Sequence, residues 1–177
     1  MATTRSSQSN ETTQKTRASA QPRTQNAIAL LKNDHRAVED LFEDYEHARR
    51  GDRKETIVRQ ICEELTVHAQ LEEQAFYPVA QKALGESDRD LVDEARVEHN
   101  SLKWLIAQLQ EEDAGSELHA AKVAVLKEYV QHHVREEEKE MFPKLRKTDL
   151  DLDELGQTLL ATKQQLQEQV QQQQKTH

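Results

Sequence analysis

One pattern of metal-binding residue types occurs twice along this chain of 177 residues. Each copy is a histidine followed four residues later by a glutamate. A second histidine lies about one helical hairpin upstream, at 33 residues in the first copy (35 to 68) and 34 in the second (99 to 133). Histidine and carboxylate are the usual ligands of zinc, non-haem iron and manganese. The repeat therefore predicts a metal site built from two matched halves. The candidate ligands are His35, His68 and Glu72 in the first half, and His99, His133 and Glu137 in the second.

The similarity between the halves extends beyond these residues. Residues 68–78 and 133–143 align without a gap, and in both the glutamate is doubled and the stretch ends in an aromatic residue followed by proline. The upstream histidines also match, because each directly follows an acid, Asp34 or Glu98. The two prolines are expected to end or bend the helices that contain them. A repeat of this length indicates that both halves build the same local structure.

Helices must position these residues, since the chain has only four glycines and three prolines, and apolar residues recur at intervals of three and four. We predict four long helices, separated at Gly51, Gly85 and residues 115–116, with Thr24 capping the first. Gly51 is expected to end its helix in a left-handed conformation. A weaker fifth helix is expected over about residues 153–169. The fold class predicted is all-α, an antiparallel up-down-up-down four-helix bundle with a possible extra C-terminal helix.

The candidate ligands occupy seam positions of the predicted helices, where apolar side chains belong. The four histidines lie 14 to 18 residues from the predicted turns. An up-and-down bundle would therefore put them at nearly one level, roughly 25 Å from each turn at about 1.5 Å per residue. Each glutamate lies one turn beyond its histidine on the same face. Of the adjacent His132 and His133, only His133 lies on the seam. We therefore expect the six side chains to converge in the middle of the bundle.

Metal binding explains this set better than a purely structural hydrogen-bonded cluster, because unpaired buried carboxylates are strongly disfavoured. Six ligands with two carboxylates suit two metal ions, each bound by two histidines, with both glutamates shared. A single zinc ion needs about four ligands and would leave a glutamate without a partner. The His-Glu-x-x-His pattern of zinc proteases and the Glu-x-x-His pattern of ferritin-type proteins are both absent. A di-iron or mixed iron-manganese centre remains.

Residues from about 26 to 146 resemble the hemerythrin-like, HHE cation-binding domain family. The resemblance rests on the six candidate ligands and their spacing, together with the doubled glutamate and the aromatic-proline ending. It implies an antiparallel four-helix bundle that holds two iron ions joined by an oxo or hydroxo bridge. By the same resemblance the four histidines are terminal ligands, and Glu72 and Glu137 bridge the ions. Manganese or zinc is the less expected metal.

One departure from the oxygen-carrying members of that family bears on function. They have a second histidine four residues after the third-helix histidine, where this chain has Lys103, and an aspartate late in the fourth helix, where Glu137 stands in a His-x3-Glu unit. One iron therefore lacks a nitrogen ligand. A further donor could come from water, Tyr45, Glu39 or Glu73, and the sequence does not select one. A more open site suits reaction with peroxide or nitric oxide, or sensing, better than reversible oxygen storage.

Composition and charge indicate where the chain works. A net charge of -9 argues against DNA, RNA or an anionic membrane as a partner, since those need a basic face. No apolar run is long enough to span a bilayer, and Cys62 has no second cysteine to pair with, so a cytoplasmic setting is expected. We predict a disordered tail over residues 1–23, the bundle over 24–147, and a C-terminal helix with a glutamine-rich tail over 148–177.

Three functional hypotheses follow from the sequence. The first is a di-iron protein that binds or reacts with O2, NO or peroxide, as a sensor or in protection from oxidative or nitrosative stress. Its enzymatic form is a catalase-like disproportionation of peroxide. The second is a module that stores or buffers iron or oxygen without turnover. The third is an interaction protein whose C-terminal helix or tails dock a partner in response to the metal state.

Overall fold

A computed structural model describes residues 25–112 and 115–175, with side chains described up to residue 172. These residues are helical apart from short connections. The helices are α1 Ala27–His47, α2 Gly51–Leu71, α3 Tyr77–Leu84, α4 Arg89–Glu111, α5 His119–Glu136, α6 Phe142–Leu145 and α7 Leu152–Lys175. One π-helical turn joins α2 to α3 (Glu72–Phe76), and another joins α5 to α6 (Glu137–Met141). The prediction of an all-α bundle with an extra C-terminal helix is confirmed, with α1, α2–α3, α4 and α5–α6 as the four members of the bundle.

Two of the predicted glycine breaks behave differently. Gly85 has φ +69° and ends α3 in the left-handed region, as expected from the lack of a side chain. The prediction for Gly51 is wrong, because α1 already ends at His47 and Gly51 is the first residue of α2 without a positive φ. Extended residues after α1 make that turn, so the glycine is not needed there for its conformation.

The helix starts are also displaced from their predicted positions. Thr24 lies outside the described residues, and α1 begins one residue after Asn26, whose side-chain Oδ1 accepts a hydrogen bond from the Ala29 N–H at 2.9 Å. The α5 helix begins at His119 rather than directly after Ser116, whose carbonyl oxygen accepts from the His119 N–H. The seam positions are unaffected, since these differences lie at the ends of the helices.

The apolar core forms two clusters, one on each side of the layer that holds the candidate ligands. One cluster includes Val38, Phe42, Ile61, Leu102 and Leu126, and the other includes Leu31, Phe76, Tyr77, Phe142 and Leu159. The second cluster is completed by α7, which packs along α1 and α2 and buries three leucines there. The C-terminal helix therefore covers one side of the bundle. No helix among the described residues is long and apolar enough to cross a membrane.

The backbone of α7 comes very close to the start of α1 at Gly156. A Cβ atom added to Gly156 would lie 2.2 Å from the carbonyl oxygen of Gln25 and 2.8 Å from the backbone nitrogen of Ala27. Both of these atoms belong to backbone, which cannot rotate away as a side chain would. The close packing of α7 against the start of α1 thus requires glycine at this position.

Replacing Gly156 with alanine should lower the free energy of unfolding by about 1–3 kcal/mol, because the added methyl group forces the two helices apart. Urea unfolding followed by circular dichroism measures the effect. Gly51→Ala is the matched control, since an added Cβ meets nothing within 4 Å there. Alanine favours helix over glycine, so the control should be neutral or slightly more stable. Equal stability of the two variants would contradict the close packing of α7 against α1 at Gly156.

Candidate metal centre

The structure brings all six candidate ligands together in the layer between the two core clusters. Each of the four histidines comes from a different bundle helix: α1, α2, α4 and α5. Each candidate glutamate is the first residue of a π-helical turn. All six side chains are buried, and the most accessible residue, His68, is only 7% exposed. The sequence-based expectation of one common level is therefore met by the geometry.

The donor atoms form two groups that share one carboxylate. His35, His68, Glu72 and Glu137 make one group, and Glu72, His99 and His133 make the other. In each group the donor atoms all lie within 4.8 Å of one another. Two adjoining groups with a common carboxylate are what two bridged metal ions require.

Both glutamates face histidines from both halves of the repeat. Glu72 Oε2 lies 3.3 Å from Nε2 of His68, 3.3 Å from Nε2 of His99 and 3.8 Å from Nε2 of His133. Glu137 Oε2 relates in the same way to the histidines of α1 and α5, at 3.3 and 3.8 Å from their Nε2 atoms. A bridging role for these two residues stays a prediction: Glu72 belongs to both donor groups, and Glu137 belongs to one of them.

Several of these buried atoms lack hydrogen-bond partners among the described residues, namely His35 Nε2, His68 Nε2, Glu72 Oε1 and Glu137 Oε2. Buried polar atoms in proteins are nearly always paired, because an unpaired one costs free energy. Metal–ligand bonds of about 2.0–2.2 Å place neighbouring ligand atoms about 3.0–3.4 Å apart. The closer separations in this cluster fall in that range, so the donor set fits metal ions.

The outward-facing ring nitrogen of every candidate histidine lies near a carboxylate. The pairs are His35 Nδ1 with Glu138 Oε1 at 3.0 Å, His99 Nδ1 with Glu73 Oε1 at 3.1 Å, His133 Nδ1 with Glu98 Oε2 at 2.8 Å, and His68 Nδ1 with Asp34 Oδ2 at 3.7 Å. In the first three pairs the carboxylate fixes the imidazole ring and its tautomer, leaving Nε2 to face the cluster. His68 Nδ1 and Asp34 Oδ2 are too far apart for a hydrogen bond, and neither atom has a hydrogen-bond partner among the described residues. The acids next to the candidate ligands in both copies of the repeat thus lie against the outer nitrogens of the histidines.

These supporting carboxylates follow the internal repeat and tie its halves together. Asp34 and Glu98 precede the upstream histidines, and each faces the other histidine of its own half. Glu73 and Glu138 are the second residues of the doubled glutamates, and each faces a histidine of the opposite half. Each half therefore contributes one carboxylate that orients a histidine of the other half.

Lysines neutralise three of the four supporting carboxylates. Lys163 Nζ lies 2.6 Å from Asp34 Oδ1, Lys32 Nζ lies 2.6 Å from Glu138 Oε2, and Lys103 Nζ lies 2.6 Å from Glu73 Oε1. Lys103 occupies the position at which the oxygen carriers have a histidine ligand. Its ammonium group here belongs to the layer outside the supporting carboxylates, so this position contributes no donor to the centre.

Burial and charge compete at these groups. Burial opposes the charge of Glu72, but the surrounding imidazoles, His68 foremost, outweigh it and hold the pKa of this carboxyl well below its ordinary value. Burial likewise opposes the charge of His133, but the carboxylates around it, Glu137 foremost, raise the pKa of His133 well above its ordinary value. Metal binding at Nε2 must displace this imidazole proton, so metal affinity should weaken as the pH falls.

Tyr77 is a residue of the centre that sequence reasoning missed. Its hydroxyl lies 3.3 Å from Glu72 Oε2, 3.1 Å from Glu137 Oε1 and 3.2 Å from His99 Nε2. Burial and the two carboxylates raise the pKa of Tyr77 well above its ordinary value. The side chain therefore stays a neutral phenol that can donate one hydrogen bond into the cluster.

A π-helical turn brings this phenol over the carboxylate five residues before it. The Tyr77 N–H donates to the Glu72 carbonyl oxygen, and the Phe142 N–H donates to the Glu137 carbonyl oxygen. A proline follows each aromatic residue, and proline lacks an N–H and clashes with the carbonyl four residues back in a regular α-helix. The wider turn avoids this clash and the chain stays helical. Of the expectation that the prolines end or bend their helices, an end at Pro78 is wrong, since α3 runs on to Leu84, whereas α6 ends at Leu145, two residues after Pro143.

The other donors considered for the centre lie elsewhere. Glu73 is on the far side of the His99 ring. Glu39 is exposed and lines a groove between α1 and α5. Tyr45 packs beneath the ammonium group of Lys54, 4.7 Å from its ring centroid. Neither of the two glutamates belongs to the two buried groups of potential His, Cys, Asp and Glu ligands found in the described part of the chain.

Comparison with known proteins agrees with the fold and the cluster. The chain belongs to the hemerythrin HHE cation-binding domain family, whose sequence model matches residues 26–145. The family resemblance inferred from the sequence is thus confirmed. A crystal structure of a hemerythrin HHE cation-binding domain-containing protein from Mycobacterium kansasii matches with a TM-score of 0.70 and 22% identity, covering 82% of this chain and 89% of that one. This match supports the helical fold.

Two curated proteins also share sequence with the chain. One is named a DNA nickase, from Nostoc sp., and is 29% identical over 118 residues, which make up 66% of this chain and 32% of that protein. The other is an uncharacterized hemerythrin-like protein of Schizosaccharomyces pombe, 29% identical over 119 residues, or 67% of this chain and 58% of that protein. The chain therefore spans less than two thirds of either curated relative.

Replacing Glu72 or Glu137 with alanine should abolish stable metal binding, because each removes a carboxylate that faces histidines of both halves. In wild-type protein, metal at about 100 times its Kd should add about 2.7 kcal/mol to the free energy of unfolding. The variants should lose this increment, as measured by urea unfolding with and without metal. Glu140→Ala, an exposed residue of the second π turn, is the control and should keep it. Full metal content in either Glu72→Ala or Glu137→Ala would refute the ligand assignment.

Proposed function

We propose that this protein holds two iron ions among the six buried residues and binds or reacts there with O2, NO or peroxide. Its role would be sensing or protection from oxidative or nitrosative stress. When bound, the two ions would supply Lewis acidity and one-electron redox changes. The observation that carries the proposal is a small, largely enclosed cavity lined by all four candidate histidines, because its size limits the ligand to about two non-hydrogen atoms.

That cavity has a volume of about 20 Å³. All four candidate histidines line it, together with Asp34 and apolar side chains that include Val38, Leu65, Leu102, Ile106 and Val130. A space of about 10–15 Å³ on this measure holds one water molecule. The cavity therefore has room for a diatomic molecule or a water, and its apolar wall favours uncharged ligands such as O2 and NO.

A groove between α1 and α5 offers such a ligand a way in from solvent. His35, Val130 and Val134 line both the groove and the inner cavity, so these side chains lie between the two spaces. The groove carries four cationic side chains and two acidic ones, in contrast to the acidic chain as a whole. They are Lys32, Lys127, Arg135 and Lys139, with Glu39 and Glu138.

The phenol of Tyr77 lies in the cluster that α7 completes, on the other side of the candidate ligands from this cavity, and it is placed to hold or pass a proton through the carboxylates of the centre. It holds its proton at a point within hydrogen-bond distance of Glu72, Glu137 and His99. Proton transfer from a positioned group of this kind typically contributes about 10²- to 10⁴-fold to a rate. The equivalent residue of the second half, Phe142, has no hydroxyl, so the two halves differ in this respect.

Tyr77→Phe should therefore keep its metal but react with peroxide about 10²- to 10⁴-fold more slowly, because the ring still packs while the proton donor is gone. The measurement is metal content together with the rate of peroxide consumption or of the spectral change on ligand addition. Tyr129→Phe removes a hydroxyl from a half-exposed tyrosine and should leave the rate unchanged. An unchanged rate in Tyr77→Phe would rule out this role for the phenol.

The proposal itself is tested on aerobically purified protein by metal analysis, absorption spectroscopy and peroxide addition. We expect about two irons per chain, as two adjoining ligand groups require, and a near-ultraviolet absorption band from the iron pair. One zinc per chain, or no metal after iron loading, would refute it. Peroxide consumption above that of an equal amount of free iron would establish the catalase-like form. Its absence would leave binding or sensing as the activity.

Nucleic acid is not part of this proposal. The net charge of -9 remains the reason to expect no DNA or RNA partner. The curated relative named a DNA nickase matches this chain over only 32% of its own length. The name describes that whole protein, and the expectation for this chain rests on its charge alone.

A further inference from the structure

Glu98 is the exception among the four supporting carboxylates, because no lysine pairs with it in the described part of the chain. Its Oε2 faces Nδ1 of His133 at 2.8 Å, as the pattern requires. Its Oε1 instead lies 3.2 Å from Nε2 of the exposed His132. Glu136 Oε1 lies 3.2 Å from the same nitrogen. The outer side of this carboxylate thus meets an imidazole and a second acid.

The cluster of Glu98, His132 and Glu136 has more negative charge, and fewer N–H donors, than its two carboxylates require. One imidazole nitrogen carries at most one hydrogen, so a single N–H can make a straight hydrogen bond to only one of the two carboxylate oxygens that both lie 3.2 Å away. Two carboxylates also outnumber the single imidazole, even when His132 is protonated. Glu98 therefore lacks the positive charge that lysine provides at Asp34, Glu73 and Glu138.

The spacing of these three residues suits a metal ion. One donor atom from each of Glu98, His132 and Glu136 can be chosen so that all lie within 4.8 Å of one another. The two nitrogen–oxygen separations of 3.2 Å match the about 3.0–3.4 Å between neighbouring ligands of an ion with bonds of about 2.0–2.2 Å. The His132 side chain is 56% exposed, so water can complete the coordination.

The internal repeat supplies an independent argument. In the first half, the positions equivalent to His132 and Glu136 are Val67 and Leu71, both buried in the cluster that α7 completes. The equivalent of Glu98 is Asp34, which receives the ammonium group of Lys163 from α7. In the first half, therefore, α7 covers the equivalent surface, and the Lys163 ammonium group supplies the positive charge. The second half leaves it open to solvent and replaces two apolar residues with metal-binding types.

We propose that Glu98, His132 and Glu136 form an outer site for a divalent transition-metal cation, which takes the place that lysine holds at the other three carboxylates. Two carboxylates, one imidazole and water suit zinc, iron(II) or manganese(II). The outer ion and the buried centre share a connection, since Glu98 holds His133 with its other oxygen.

The outer site is tested by counting Zn²⁺ ions bound to the full-length chain after equilibrium dialysis. Glu136→Gln and His132→Gln should each bind one ion fewer than wild type, and Glu140→Gln, an exposed neighbour, should bind as many as wild type. The same one-ion difference should persist in a Glu72→Ala background, so the outer site can be judged even if the buried centre binds no metal. Equal zinc content in wild type and both variants would overturn the proposal.

Discussion

The constraint on which this structure depends is the burial of two carboxylates in the middle of an apolar bundle. Glu72 and Glu137 are 0% and 1% exposed, with apolar clusters above and below them. A carboxylate in such a place needs positive charge or metal close by, since the free energy cost of burying it alone is several kcal/mol or more. The four imidazoles surround the carboxylates for this reason, and the supporting acids and lysines then balance the imidazoles. Charge alternates outward through four layers, from carboxylate to imidazole to carboxylate to lysine.

The two halves of the bundle satisfy this constraint differently on their outer faces. The first half is covered by α7, whose seat needs Gly156 and whose Lys163 reaches Asp34. The second half has no such cover at Glu98, where His132 and Glu136 face solvent. An internal repeat thus yields one closed face and one open face, and the difference arises from an element outside the repeat.

Much of this arrangement could be predicted from the sequence, because the ligand residues interrupt apolar seams with helical spacing. The fold class and the convergence of the six residues follow from that periodicity. Tyr77 could not be found in the same way, since regular α-helical spacing turns a residue five positions on away from Glu72, and only the π turn brings it back. Lys163 could not be found either, because no local pattern predicts which face of α7 contacts Asp34, 129 residues away in sequence. The error at Gly51 has a simpler cause, namely that extended residues before it make the turn.

The exchange of supports between the halves has a consequence for how long an ion stays bound. Each half of the repeat forms a helical hairpin, α1 with α2–α3 in the first and α4 with α5–α6 in the second. Glu73 and Glu138 each hold a histidine of the opposite hairpin, so two of the four imidazoles are oriented only while the hairpins remain in contact. Small separations of the hairpins would release both rings together, even with every bond inside each hairpin intact. The residence time of a metal ion is then a property of the contact between hairpins, and substitutions far from any ligand that loosen this contact would shorten it.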